Sequence, residues 1–186
     1  MSNRFLTADT HFNHGSGSVE GAPKGIIKYC SRNFSTVHEM NKALTERWNS
    51  VVKPEDTVYH LGDFSFGNYR PYLEKLNGQI HLIKGNHDKQ NDYHIGFASV
   101  GYYAEIKIEN NLRICCSHYA MRVWNHSHFG WYHCYGHSHG NLPGIGRSMD
   151  VGVDTHNFYP YSVDEIVEIL SQKSIINPVE EIEYTI

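Results

Sequence analysis

The sequence predicts a single α/β domain spanning residues 1–186, and three observations carry that prediction. Runs rich in β-formers alternate with helical patterns in the order β-α-β-α-β-β-β, which is the order of one layered α/β unit. No internal repeat, low-complexity tract or linker divides the chain. A length of 186 residues with 40% hydrophobic composition suits one domain with its own core.

Taken in order, Phe5-Leu6-Thr7-Ala8 reads as a short buried strand ending at Asp9. Residues 10–24, rich in Gly, Ser, Asn and His, read as a loop, and Lys24 to Cys30 as a helical turn or two. Thr36-Val37-His38-Glu39 has the capping-box pattern. Beyond it Val37, Met40, Leu44, Trp48 and Val51 recur at helical spacing, so a helix over about 36–52 should pack one face on a sheet. Thr57 to Leu61 is a strand rich in β-formers, Tyr69 to Leu76 a short helix, and Gln79 to Ile83 a strand. Tyr102–Ile108 and Leu112–Cys116 flank Asn110-Asn111 and predict a hairpin. Trp131–Tyr135 and Ser148–Val153 are further strands. Ser162-Val163-Asp164-Glu165 is a second capping box opening a last helix to about Gln172, and the acidic tail at Glu180, Glu181 and Glu183 is a strand or a loose end.

Composition narrows function. The net charge of −4 gives no general attraction to nucleic acid or an anionic membrane, although a local basic groove would be compatible with it. The four cysteines, Cys30, Cys115, Cys116 and Cys134, form no C-x-x-C pair, which argues against a zinc ribbon. The start lacks a signal-peptide pattern, and no apolar run approaches the ~20 residues that span a bilayer. The expectation is a cytoplasmic protein with reduced thiols and no membrane partner. Fourteen histidines are the unusual total, and their positions decide what they mean.

Those positions fall at strand ends. Asp9 and His11 follow the first strand, Asp63 the second, Asn86 and His87 the third. His118 follows Leu112–Cys116, and His137 and His139 follow Trp131–Tyr135. Open α/β sheets bind ligands beyond the carboxyl ends of their strands. Each instance alone has a bland explanation: Asp9 as a cap, Gly85-Asn86 as a turn, His118 as a satisfied loop histidine. Coincidence is a poor account of five. Asp9, His11, Asp63, Asn86, His118, His137 and His139 are too many donors for one tetrahedral zinc. They suit two cations about 3.5–4 Å apart sharing a carboxylate. Mixed nitrogen and oxygen donors favour Mn, Fe, Co, Ni or Zn over Mg or Ca.

The blocks Asp9-Thr10-His11, Gly62-Asp63, Gly85-Asn86-His87-Asp88, His118 and Gly136-His137-Ser138-His139 together resemble, in order, the signature blocks of calcineurin-like metallophosphoesterases. The resemblance implies a four-layer αββα sandwich with a dinuclear site at the sheet ends. It places one metal on Asp9, His11, Asp63 and His139 and the other on Asp63, Asn86, His118 and His137, with Asp63 bridging. The cofactors would be two divalent ions, Mn foremost, with Fe, Ni, Co and Zn as alternatives. The activity implied is hydrolysis of phosphate mono- or diesters by in-line attack of a hydroxide held at the metals, His87 protonating the departing oxygen. Asp88 would orient His87, join local hydrogen bonding or serve as a helix N-terminal acid.

The Asp-Arg-Gly of the superfamily's protein phosphatases is replaced here by Phe64-Ser65-Phe66-Gly67-Asn68, and there is no room for the capping domain of its repair nucleases. The chain is more similar to compact single-domain members, which the runs Tyr29–Phe34 and Met149–Asp154 fit loosely. The main alternatives are a nuclease or cyclic-nucleotide phosphodiesterase and, last, a non-catalytic metal-stabilised interaction module. At the rim, His14, Arg32 and Arg122 are candidate substrate contacts, the arginines as bidentate phosphate clamps. Trp124, Trp131 and Tyr132 would line a groove or pack the core, and His126-Ser127-His128 reads as rim or solvated loop.

Overall fold

A computed structural model describes residues 2–15, 17, 21–89 and 95–175. Two sheets lie face to face. The first has the order β4-β3-β2-β1-β9, from Ser99–Gly101 (β4), Gln79–Ile83 (β3), Thr57–His60 (β2), Arg4–Thr7 (β1) and Tyr161–Ser162 (β9). Strands β1 to β4 run parallel and β9 antiparallel. The second has the order β5-β6-β7-β8, from Ala104–Lys107, Arg113–Cys116, Tyr132–Tyr135 and Ser148–Asp150. Its hairpin β5–β6 is antiparallel, and β6, β7 and β8 are parallel. A single parallel bridge between Ala8 and Gly152 joins the two sheets beyond the end of β1.

Strand alternation sorts the core into two clusters. One face of the first sheet presents Phe5, Val58, Ile80 and Leu82 to helices α1 (Gly25–Tyr29) and α2 (Val37–Val51). From α2 the buried residues are Met40, Leu44 and Trp48, the centre of the predicted stripe, while Val37 is half-buried and Val51 exposed. Burial of each is worth about 1.5–3 kcal/mol, and the Trp48 indole donates to Asn77 O at 2.9 Å. Thr36 caps α2 by accepting from Glu39 N, but Glu39 accepts from Ser35 N, one residue earlier than in a reciprocal box. The opposite face presents Leu6 and Ile83 to Ile106, Ile114, Cys116, Cys134 and Met149 of the second sheet.

Helix α4 (Val163–Ser171) opens with the full capping box at Ser162 and Glu165 and sends Ile166 and Leu170 into this inter-sheet cluster. The described residues therefore give helix, sheet and sheet in three layers. The outer face of the second sheet carries His133 and Tyr135 and is covered near His133 by loop residues such as Trp124. The short helix α3 is Arg70–Leu73. Strands β4 and β9 extend the predicted pattern, while the acidic tail lies outside the described residues.

Candidate metal centre

Strands β1, β2 and β3, and likewise β6 and β7, deliver their following residues to one end of the sandwich. Five of the seven expected ligands sit there with positive φ: Asp9 (58°), His11 (48°), Asp63 (57°), His137 (67°) and His139 (48°). Side-chain-bearing residues seldom adopt that region, and when they do the surrounding structure holds them there. The holding bonds are visible. Asp9 N donates to Gly62 O at 2.9 Å and His11 N to Asp63 O at 3.0 Å. Close approach demands glycine at two points: a Cβ on Gly85 would collide with the Asp63 carboxylate, and one on Gly136 would lie 2.7 Å from Asp9 Oδ2.

Three groups of close donor atoms result: Asp9 with His11 and His139, Asp63 with His118 and His137, and Cys30 with His139 and Asp154. Asp63 stands between the first two: its Oδ1 accepts from His87 N at 2.8 Å, while its Oδ2 lies 3.6 Å from both His11 Nε2 and His118 Nε2. Asn86 Oδ1 lies 3.0 Å from His118 Nε2. His118 Nδ1 faces Leu61 O at 2.8 Å, and a ring carrying its N–H there would offer Nε2, beside Asn86 Oδ1, to a cation. His87 is partly exposed, its Nε2 3.9 Å from Asp63 Oδ2.

The donor set fits a cation. Asp9 Oδ1 and both His11 ring nitrogens are buried without a hydrogen-bond partner, a costly arrangement that a bound ion would satisfy. Burial pushes the Asp9 carboxyl well above its usual range, against the pull of His139. Burial, with Arg32 adding to it, pushes the His11 imidazole well below its own. A cation between them would favour the opposite protonation of Asp9, as a carboxylate ligand.

The rim residues separate. His14 joins the cluster, stacked on Phe66 with centroids 3.6 Å apart and 6.1 Å from His87. Burial, then His87, lowers its imidazole to about 4. The expectation for Arg32 is corrected. Its guanidinium is buried and already engaged, through Nε and Nη2 to Asp154 at 2.8 and 2.7 Å, and through Nη2 and Nη1 to Asp9 O and Thr10 O. Its fork is therefore unavailable as a phosphate clamp. Arg122 is exposed on a different cavity of about 400 Å³ lined by Met121, Tyr135 and Leu142. Trp124 and Tyr132 are core residues. His126 stacks on Trp131 at 4.3 Å, and both it and His128 are exposed.

Three acids support the site. Asp88 is buried and accepts from Asp63 N (2.7 Å), Phe64 N (3.0 Å) and Gly85 N (2.8 Å), so of its three expected roles the local bonding one is found. Asp150 accepts from Ser138 Oγ (2.7 Å), Gly140 N (2.8 Å) and Gly152 N (2.7 Å), fixing the His137–His139 turn. Asp154 lies 2.7 Å from His139 Nδ1. Asp150 and Asp154 fall in the Met149–Asp154 run, which the sequence marked without assigning a role.

Fold and donor set define the class: an α/β protein with metal-competent aspartate and histidine clusters at the carboxyl ends of parallel strands. The chain belongs to the calcineurin-like phosphoesterase superfamily, whose domain model matches residues 33–155. The uncharacterized protein MJ1445 of Methanocaldococcus jannaschii is 34% identical over 96% of this chain and 97% of its own. The Gene 66 protein of Mycobacterium phage L5 is 35% identical over 47% of this chain and 41% of its own. A crystal structure of a protein of unknown function, AQ665 from Aquifex aeolicus, aligns with TM-score 0.71 and 25% identity, covering 91% of this chain and 100% of that one. No helix among the described residues is long and apolar enough to cross a membrane.

Proposed function

We propose that this chain is a metal-dependent phosphoesterase that hydrolyses phosphate mono- or diesters at a dinuclear centre. Asp9, His11, Asp63 and His139 would hold one divalent cation, and Asp63, Asn86, His118 and His137 the other, with manganese the first choice. The observation that carries the proposal is Asp63 Oδ2, placed 3.6 Å from a histidine of each cluster. Bound cations would supply Lewis acidity and positive charge for a phosphate ester and make water a better nucleophile.

The chain's own residues do the rest. His87 stands over Asp63 with an exposed ring edge, positioned to give a proton to the leaving oxygen. Its backbone N–H on Asp63 Oδ1 ties the proton donor to the shared carboxylate. Phe66 packs against His87 and His14, with centroids 4.9 and 3.6 Å away, and limits how far either ring can turn. Asp88 fixes the backbone on both sides of this arrangement.

The test compares a nitrophenyl phosphomonoester with the matching bis-ester, using chelator-stripped protein given Mn, Ni or Mg, beside Asp63→Asn. The proposal expects metal-dependent turnover in the wild type and weakened binding of both ions in the variant. Turnover of the bis-ester alone would direct attention to nucleic acid or cyclic nucleotides. Two ions held tightly by Asp63→Asn would refute the bridge, and no turnover with any metal would favour a non-catalytic module.

A further inference from the structure

The structure assigns Asp154 as the positioning residue for His139, anchored by Arg32, so that the Asp9/His11/His139 cluster depends on a carboxylate outside the seven expected ligands. The inference rests on the proposal that His139 binds a metal.

Several observations carry it. Asp154 is 122 residues from Arg32, yet its two carboxylate oxygens take a bidentate grip from that guanidinium at 2.8 and 2.7 Å. The oxygen shared with Arg32 Nη2, Oδ2, also lies 2.7 Å from His139 Nδ1. A carboxylate partner makes Nδ1 the N–H nitrogen, so Nε2 keeps its lone pair for a cation. The ring stacks on His11 at 5.3 Å, in the cluster that includes Asp9.

In the other cluster the one such support given by the described residues is of a different kind. His118 Nδ1 is held by a neutral backbone carbonyl. Arg32 itself cannot swing toward solvent, because Nη2 and Nη1 also donate to the carbonyls of Asp9 and Thr10 at 2.6 and 3.1 Å. The guanidinium thus locks Asp154 to the loop that carries two of the ligands, Asp9 and His11. Asp150 works alongside by fixing the backbone of the same turn.

Cobalt(II) binding to the stripped full-length chain tests this, read by absorption spectrum and by metal-to-protein ratio, with no turnover involved. Wild type, Asp154→Asn, His139→Ala and the double variant complete a cycle. The expected result is that Asp154→Asn weakens one of two ions by roughly 10–100-fold and leaves the other unchanged. In the His139→Ala background the same substitution should cost nothing further. Equal loss from Asp154→Asn in both backgrounds would make Asp154 merely structural and overturn the proposal. So would wild-type cobalt affinity in Asp154→Asn while His139→Ala loses an ion. If His139→Ala itself binds two ions normally, the ligand assignment falls first and takes this inference with it. Should Asp154→Asn fail to fold, Arg32→Lys supplies the second arm. It keeps the charge but loses the two-point grip and is expected to weaken the same single ion; unchanged cobalt binding in it would refute the anchor.

Discussion

Replacing Asp88 with alanine removes the acceptor for three backbone N–H groups at once. Asp88 Oδ2 serves Asp63 N and Gly85 N, and Oδ1 serves Phe64 N. The side chain is 2% exposed, so water has little access to replace it. Each orphaned buried donor costs about 1–3 kcal/mol, and bonds to an ionised group lie at the upper end. Losing a carboxylate that burial already disfavours, as its raised pKa indicates, offsets part of that sum. The expected cost is about 3–5 kcal/mol, a large share of the ~5–15 kcal/mol that holds a domain together. Asp88→Asn keeps one carbonyl oxygen. Set at the Oδ2 position it still serves two donors, and only Phe64 N faces the amide, for about 1.5–3 kcal/mol. Urea denaturation of chelator-treated protein measures both variants, and amide exchange at Phe64 reports the local opening. An alanine variant within about 1 kcal/mol of wild type, or one less damaging than asparagine, would show that the three bonds are not what fixes these turns.

His87→Ala should keep both metals while turnover falls by roughly 10²–10⁴-fold; loss of metal in that variant would remove His87 from the proton-donor role. A second expectation concerns pH and two histidines outside the ligand set. His133 Nε2 accepts from Met121 N at 2.9 Å, and His60 Nδ1 accepts from Gly62 N at 3.2 Å, so each ring is held neutral. Burial lowers His60 to about 3 and His133 to about 4. Because both values lie below the unfolded one, their contribution is complete above about pH 6.5 and is lost as pH falls toward 4. At pH 5 that amounts to about 2 kcal/mol for each. Urea midpoints at pH 7 and pH 5 should show a smaller drop in His133→Gln, and an unchanged drop would exclude His133 as a source. Cys30 is the one cysteine of four that is not buried, and its sulfur lies within 4.8 Å of ligand atoms of His139 and Asp154. Alkylation should reach it first, as seen by mass spectrometry, and should lower metal content; Cys30→Ser should resist both effects.

Much of the frame was legible because its signals are local. The α2 pattern from Met40 to Trp48 and the Ser162–Glu165 box are complete within a few residues of sequence. The strand ends were legible because each block carries its polar residue directly after an apolar run. The strands β4 and β9 were not, since Ser-Val-Gly and Tyr-Ser have no periodicity of their own and pair only because β3 and β1 offer edges. The support of the site was hidden for the same reason on a larger scale. Arg32 read as a phosphate clamp because its partner stands 122 positions later. Asp88 looked ambiguous because the donors it collects come from two separate turns. A fourth, helical layer was expected from resemblance alone, and the described part of the chain covers the second sheet near His133 with loop residues.

The bridge between Ala8 and Gly152 has a mechanical consequence. Asp9, His11, Asp63 and Asn86 hang from the first sheet, while His118, His137 and His139 hang from the second. The hydrogen bonds His137 N to Asp9 Oδ2, His118 Nδ1 to Leu61 O and Val153 N to Ala8 O already stitch the two plates together along this edge. An ion held between the donors would act as a rivet through both. Filling and emptying the centre would then change how firmly the two sheets are joined at this end.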